Sequence, residues 1–221
     1  MRYSAFMPTM PILSRLLAEA AAARPESQPL YDSFIDGLRM LGIGQTAPRT
    51  GDEFPDFALP DARGHYRSLS ELLKAGPVVL SFNRGEWCPY CRTELEAWHC
   101  ALPELDVAHG RFVAVTGEIG GRANSLGMIL GDGADVLCDV DHAVAMANGL
   151  AFYLGRPMLD RYHKIGLDLA TLYGSDSGFL PVPATFVIDT DRKVAFAFVD
   201  VDFRLRAEPD DVVAAVAALG R

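Results

Sequence analysis

Hydrophobic positions change their period along this chain, and those changes divide it into elements. Over residues 8–23 apolar side chains recur at helical spacing, with Ile12, Leu13, Leu16, Leu17 and Ala20 on one face. Thr9 is placed to cap this helix and Pro11 suits its first turn. After a break at residues 24–29, a second helix turns Tyr31, Phe34, Ile35, Leu38 and Leu41 inward. Residues 42–55, rich in Gly, Pro and Thr, read as a linker. The chain thus divides into an N-terminal helical extension, 1–47, and a main domain, 48–221. The extension packs either on that domain or on a second subunit.

From Phe57 onward strands and helices alternate. Short strands are predicted at 57–59 and 65–67, around a turn at 61–64. Residues 78–82 form an apolar run, the pattern of a strand covered on both faces. A helix from about 88 to 101, a strand at 112–116, a helix at 122–130, a strand at 135–138 and a helix at 142–150 follow. Residues 151–180 are irregular apart from a helical stretch near 157–165. A hairpin of 185–189 with 194–199 leads to a closing helix at 209–219. There Glu208, Asp210 and Asp211 complement the helix dipole, while Val212, Val213, Val216 and Leu219 face inward. This order predicts an α/β protein with a mixed central sheet and helices on both faces.

Composition narrows the functions available. With 221 residues, 50% of them hydrophobic and 22% charged, the chain is an ordinary globular protein. A net charge of -9 with scattered Lys and Arg leaves no basic stripe to displace counterions from a phosphate backbone, so no nucleic acid partner is expected. No apolar stretch approaches the roughly 20 residues of a helical membrane span. Arg15 and Glu19 interrupt the N-terminal apolar positions, against a signal peptide. Four cysteines are too few for a disulfide scaffold. A cytoplasmic protein is expected.

The strongest chemical statement is Arg84-Gly85-Glu86-Trp87-Cys88-Pro89-Tyr90-Cys91, directly after the apolar strand. Cysteines three apart at a helix start share a face, and the first meets unpaired N–H groups and the positive end of the dipole. That setting lowers a thiol pKa and exposes Cys88 as the attacking sulfur, with Cys91 as the resolving one. Arg84 and Arg92 add positive potential, opposed by Glu86 and Glu94. Trp87 and Tyr90 shape the rim, and Trp98 belongs to the core. A structural zinc site would need two more ligands, yet Cys100 and Cys138 are unpaired in sequence and His99 lies too far along the helix. Cys100 is about 18 Å along the helix from Cys88, out of resolving range. Pro183, just before the strand at 185–189, is compatible with a cis peptide facing the cysteine pair. No metal, nucleotide or other cofactor is called for beyond the dithiol.

These residues resemble the peroxiredoxin-like branch of the alkyl hydroperoxide reductase/thiol-specific antioxidant family, within the thioredoxin fold. The match runs from about residue 12 onward and rests on residues 51–57, Leu59, Phe82, Arg84-Gly85, 87–91, Glu94-Leu95, 181–189 and Asp202 with 204–209. The resemblance implies a thioredoxin-like fold and a thiol-dependent antioxidant oxidoreductase, with Cys88 at the peroxidatic position. It further implies a peroxide or disulfide substrate and a small thiol, thioredoxin or glutaredoxin as reductant, with homodimers open. Typical members carry proline and threonine seven and three residues before that cysteine, where this chain has Ser81 and Gly85, and an arginine where it has Pro183. Arg84 or Arg204 is the candidate replacement for that arginine. A thioredoxin- or glutaredoxin-like disulfide oxidoreductase, or a non-catalytic redox sensor, remain the alternatives.

Overall fold

A computed structural model describes residues 13–220. The predicted positions of Thr9, Pro11 and Ile12 lie outside these residues. Helix α1 spans Leu13–Ala22, burying Leu13 and Leu17, and α2 spans Gln28–Met40, burying Tyr31, Ile35 and Leu38. Leu41, expected on the inward face, is instead exposed, because α2 ends at Met40 and Leu41 is its C-cap. Short strands β1 (Ala58–Pro60) and β2 (Tyr66–Ser68) form a hairpin that leads into α3 (Leu69–Leu72). Helix α3 opens on a capping box in which Ser68 accepts from the Glu71 amide.

The main sheet is built from β3 (Val78–Asn83), β4 (Arg111–Thr116), β5 (Ala134–Cys138), β8 (Ala184–Ile188) and β9 (Val194–Val199). Its strand order is β5-β4-β3-β8-β9. Strands β3, β4 and β5 run parallel, β8 is antiparallel to β3, and β9 is antiparallel to β8. Every residue of β3 is buried, as its apolar run predicts for the central strand. Successive side chains alternate between two cores. Val78, Leu80 and Phe82 join the one completed by α1 and α2, while Val79 joins the one with Trp98, Leu105, Val212 and Val216.

Helix α4 (Pro89–Val107) continues past the predicted end at Ala101 and contains Pro103. Its apolar stripe carries on through Leu105, which is buried, and that packing sustains the helix beyond the proline. Helix α5 (Ala123–Leu130) precedes β5, and α6 is shorter than expected, at Ala143–Ala147. The irregular region resolves into β6 (Ala151–Tyr153), α7 (Gly155–Lys164), α8 (Leu169–Tyr173) and β7 (Phe179–Pro181), with β6 and β7 paired antiparallel. Helix α9 (Pro209–Ala217) closes the fold. No helix is long and apolar enough to cross a membrane among the described residues.

Candidate active site

Strand β3 ends at Asn83, and five residues later Cys88 is the N-cap of α4, in extended conformation with Pro89 following. Cys88 therefore sits at the positive end of a 19-residue helix, with Cys91 in its first turn. The expectation that Cys88 is exposed is not met: it is 1% exposed and Cys91 0%. The reason is the aromatic cover around the loop. Cys88 forms part of the wall of a cleft of about 450 Å³, together with Trp87, Tyr90, Tyr162 and Phe203. All four cysteines are free; Cys100 is exposed and Cys138 half-buried.

Arg84 fills the space beside the cysteines and is 2% exposed. Its guanidinium carbon lies 4.2 Å from the Phe203 ring centroid, 4.8 Å from Trp87 and 5.9 Å from Tyr162. It donates to the Tyr162 hydroxyl, while its Nε has no partner. No carboxylate pairs with it among the described residues. The loop around it is tied down by Tyr173, whose hydroxyl donates to the Arg84 carbonyl and accepts from Trp87 Nε1 at 2.8 Å.

A second buried arginine, Arg206, lies behind Cys91. Its Nη2 donates to Cys91 Sγ at 3.3 Å and its Nε to Glu94 Oε2 at 2.6 Å, while Nη1 donates to the carbonyls of Phe203 and Leu205. Glu94 accepts from Ser81 Oγ at 3.2 Å through its other oxygen, and Asn83 Nδ2 donates to the same Ser81 hydroxyl. Ser81 and Glu94 are both buried. The polar residue inside the apolar strand β3 thus anchors one carboxylate.

These charges set the ionisation of the pair. Burial raises the Cys88 thiol, but a hydrogen bond from Cys91 and the charges of Arg84 and Arg206 overcome it, so Cys88 is held well below the ordinary thiol range. Burial, the same hydrogen bond and the neighbouring Cys88 charge push Cys91 well above it. The two shifts run in opposite directions and favour the negative charge on Cys88 over Cys91. Burial pushes Glu94 up to about 7 despite the Arg206 ion pair.

Gly85 marks the position of the family's threonine, and the structure shows what occupies that space. Its φ is +127°, and a Cβ there would lie 2.6 Å from the Glu118 carboxyl carbon. Glu118 accepts from the Glu86 amide at 2.9 Å, and burial pushes its carboxyl up to about 7.

Of the residues expected from sequence, Cys88, Cys91, Arg84, Trp87 and Tyr90 converge on one site. Arg204 does not line the cleft. It is held by both Asp202 oxygens at 2.8 Å, by Asp32 at 2.8 Å and by Gln28 at 2.7 Å, clamping α2 to the segment before α9. Pro183 is buried just before β8, and the pairing of Phe82 with Ala184 puts it beside the end of β3 that leads to Cys88. No described peptide bond is cis, so Pro183 is trans. A trans proline suffices there because the position precedes the ladder, where its missing N–H costs no pairing. Sequence reasoning missed Arg206, Glu94 as a buried partner, Glu118, Tyr162 and Tyr173. Glu94 had a legible signal: it lies on the buried stripe of α4, between Cys91 and Trp98 at spacings of three and four.

A parallel-antiparallel sheet with a C-x-x-C pair at the start of its central crossover helix defines a thioredoxin-like thiol oxidoreductase. The model of the AhpC/TSA family matches residues 50–197, and the chain belongs to that family. A Mycobacterium tuberculosis protein (strain H37Rv) named as a peroxiredoxin is 30% identical over 172 residues, covering 77% of this chain and 97% of that protein. The crystal structure of peroxidoxin BcpB from the same species superposes with a TM-score of 0.58 at 27% identity, over 79% of this chain and 99% of that one. Peroxiredoxin Q of Xanthomonas campestris, 19% identical with a TM-score of 0.56, covers 75% of this chain and 92% of its own, and shares the fold. The protein is a thiol-dependent, peroxide-reducing oxidoreductase of the peroxiredoxin-like branch.

Proposed function

We propose that Cys88 is the sulfur that attacks peroxide and that Cys91 resolves it. The Cys88 thiolate takes the distal peroxide oxygen, releasing an alcohol or water and leaving a sulfenic acid; Cys91 then displaces hydroxide, as water, to form a Cys88–Cys91 disulfide. An external thiol, either a small one or a thioredoxin- or glutaredoxin-type protein, reduces that bond. Trp87 and Tyr90 line the approach, Arg84 holds the anion, and Pro183 presents backbone beside the pair. One observation carries this reading: Cys88 caps a long helix with Cys91 in its first turn, beside two buried arginines and in the wall of a cleft. Free thiols suit a reducing compartment such as the cytoplasm. Pairing of two copies belongs to the same reading and is measured by light scattering.

Stopped-flow oxidation by hydrogen peroxide tests the assignment. Wild type is expected to react far faster than free cysteine, Cys88→Ser to lose the reaction, and Cys91→Ser to keep the first oxidation without forming an internal disulfide. A wild-type rate no greater than that of free cysteine would defeat peroxide attack at Cys88. A second reading, disulfide exchange at the same pair, is favoured by Gly85, which supplies no hydroxyl to a peroxide. In that reading the Cys88 thiolate attacks a substrate disulfide and Cys91 releases the product thiol.

A further inference from the structure

We infer that Arg206 is a catalytic residue of the resolving step, stabilising the Cys91 thiolate that attacks oxidised Cys88, and that Glu94 is its positioning residue. This rests on the reading of Cys88 and Cys91 as a working pair. The geometry is specific: the guanidinium reaches Cys91 Sγ through Nη2, while Nε is bound by Glu94 and Nη1 by two carbonyls. Nε and Nη1 are held by oxygen acceptors, and Nη2 is left to serve the resolving sulfur. Ser81 in turn holds Glu94 and accepts from Asn83, so the arrangement is anchored in the central strand.

The arrangement answers a problem that the reduced state poses. While Cys88 carries the charge, Cys91 must stay protonated to donate to it, yet as a thiol it is a poor nucleophile. Once Cys88 has become a sulfenic acid, its negative charge is gone. Both of its effects on Cys91, the hydrogen bond to an anion and the like-charge repulsion, go with it. Burial still opposes a charge on Cys91, and Arg206, buried and 3.3 Å away, is the cation that offsets it, so that the anion forms on Cys91. The Cys91 thiolate then attacks the sulfenic sulfur. The S–S bond forms as the S–O bond breaks, and the departing hydroxide takes up the proton that Cys91 gave off. Cys91 sulfur is oxidised while Cys88 sulfur is reduced, with no further oxidant.

Reduced wild type, Arg206→Met and Arg206→Lys would be mixed with hydrogen peroxide between pH 6 and pH 9 and quenched with dimedone. Mass spectrometry then counts Cys88 sulfenic adduct against Cys88–Cys91 disulfide. Wild type should pass to disulfide with little adduct. Arg206→Met should accumulate adduct, with disulfide formation slowed more than tenfold at pH 7 and recovering progressively as pH rises toward 9. Arg206→Lys should recover most of the wild-type rate. Disulfide formation at the wild-type rate in Arg206→Met, or slowed by one factor at every pH, overturns the inference. Should the methionine variant not fold, the Cys91 ¹³Cβ shift titrated by NMR in Cys88→Ser decides with Arg206 intact. Its midpoint should fall below the ordinary thiol value of about 8.5, which burial without a cation would not allow, and a midpoint above that value overturns the inference. Wild type that forms the Cys88 sulfenic acid but never bonds it to Cys91 defeats the pair itself and this inference with it.

Discussion

Arg84 and Arg206 are both buried, both beside a cysteine of the pair, and both lower the Cys88 pKa, yet they are neutralised in opposite ways. Arg84 has aromatic faces and a tyrosine hydroxyl around it and an Nε without a partner. Arg206 has a carboxylate at 2.6 Å. A cation without a carboxylate in a low-dielectric site leaves its field for whatever anion forms nearby, here the Cys88 thiolate. A cation already paired is fixed in direction, and its remaining donor serves one neighbour. The front of the site therefore holds charge ready, and the back holds geometry.

The largest effect expected from breaking this contrast is on the paired side. Glu94→Ala removes one partner of a fully buried ion pair and leaves Arg206 uncompensated, at a cost of about 3–5 kcal/mol in unfolding free energy by denaturant titration. Glu94→Gln also removes the charge but keeps the volume and one oxygen for Arg206, so it should cost less than the alanine variant. Equal losses in the two variants would mean that the charge, which both remove, accounts for the whole effect and that the volume and the remaining oxygen of the side chain add nothing.

Next comes the unpaired side. Arg84→Met keeps volume and removes the field at Cys88. The pH midpoint of Cys88 alkylation by iodoacetamide should rise by at least a unit from about 5, so peroxide oxidation should fall most at acid pH, about fivefold at pH 5, and little at pH 7. An unchanged midpoint would show that the Cys91 hydrogen bond and Arg206 suffice to hold the anion. Because the folded Cys88 pKa is lowered, its ionisation adds stability as pH rises through its folded value toward the ordinary thiol range. That gain is lost as pH falls, and Arg84→Met should shrink it.

A third test uses the carboxyl that occupies the threonine space. The folded Glu118 pKa, about 7, lies above its unfolded value, so the folded state holds the proton more tightly. Its burial penalises stability increasingly as pH rises from about 4.5 to 7. Glu118→Gln should therefore gain on wild type across that window, by about 1–2 kcal/mol at pH 7.5 relative to pH 4.5. A difference that is flat with pH would mean that the carboxyl is solvated in the folded protein. Gly85→Ala in wild type should destabilise, since its Cβ meets that carboxyl at 2.6 Å.

How far the sequence alone reaches is visible in these same residues. The central strand, the helix behind the cysteines and the closing hairpin were legible because each has its own period, and the C-x-x-C position followed from strand and helix meeting there. Residues 151–180 were not, since β6 and β7 are three residues each and pair across the α7–α8 insertion, a contact no local pattern announces. Tyr162 and Tyr173 come from that insertion, so the cover over Cys88 was hidden with it. Arg206 was hidden for another reason. It alternates with Arg204 in a segment without regular structure, and only the tertiary neighbours separate them: Cys91 and Glu94 for one, Asp202 and Asp32 for the other.

That separation gives the smallest of the expected effects. Arg204 is half-buried and bound by two carboxylates and a glutamine that join α2 to the segment before α9. Partly solvated pairs of this kind contribute modestly, so Arg204→Gln should cost about 1 kcal/mol in unfolding free energy. The loss should be local, appearing as faster amide hydrogen exchange in α2 ahead of the rest of the fold. The Cys88 alkylation midpoint reports whether the two neighbouring arginines truly differ. A rise matching that of Arg84→Met would return Arg204 to the site. Otherwise its loss acts on the seam between α2 and the C-terminal segment, and the field at Cys88 is left to Arg84 and Arg206.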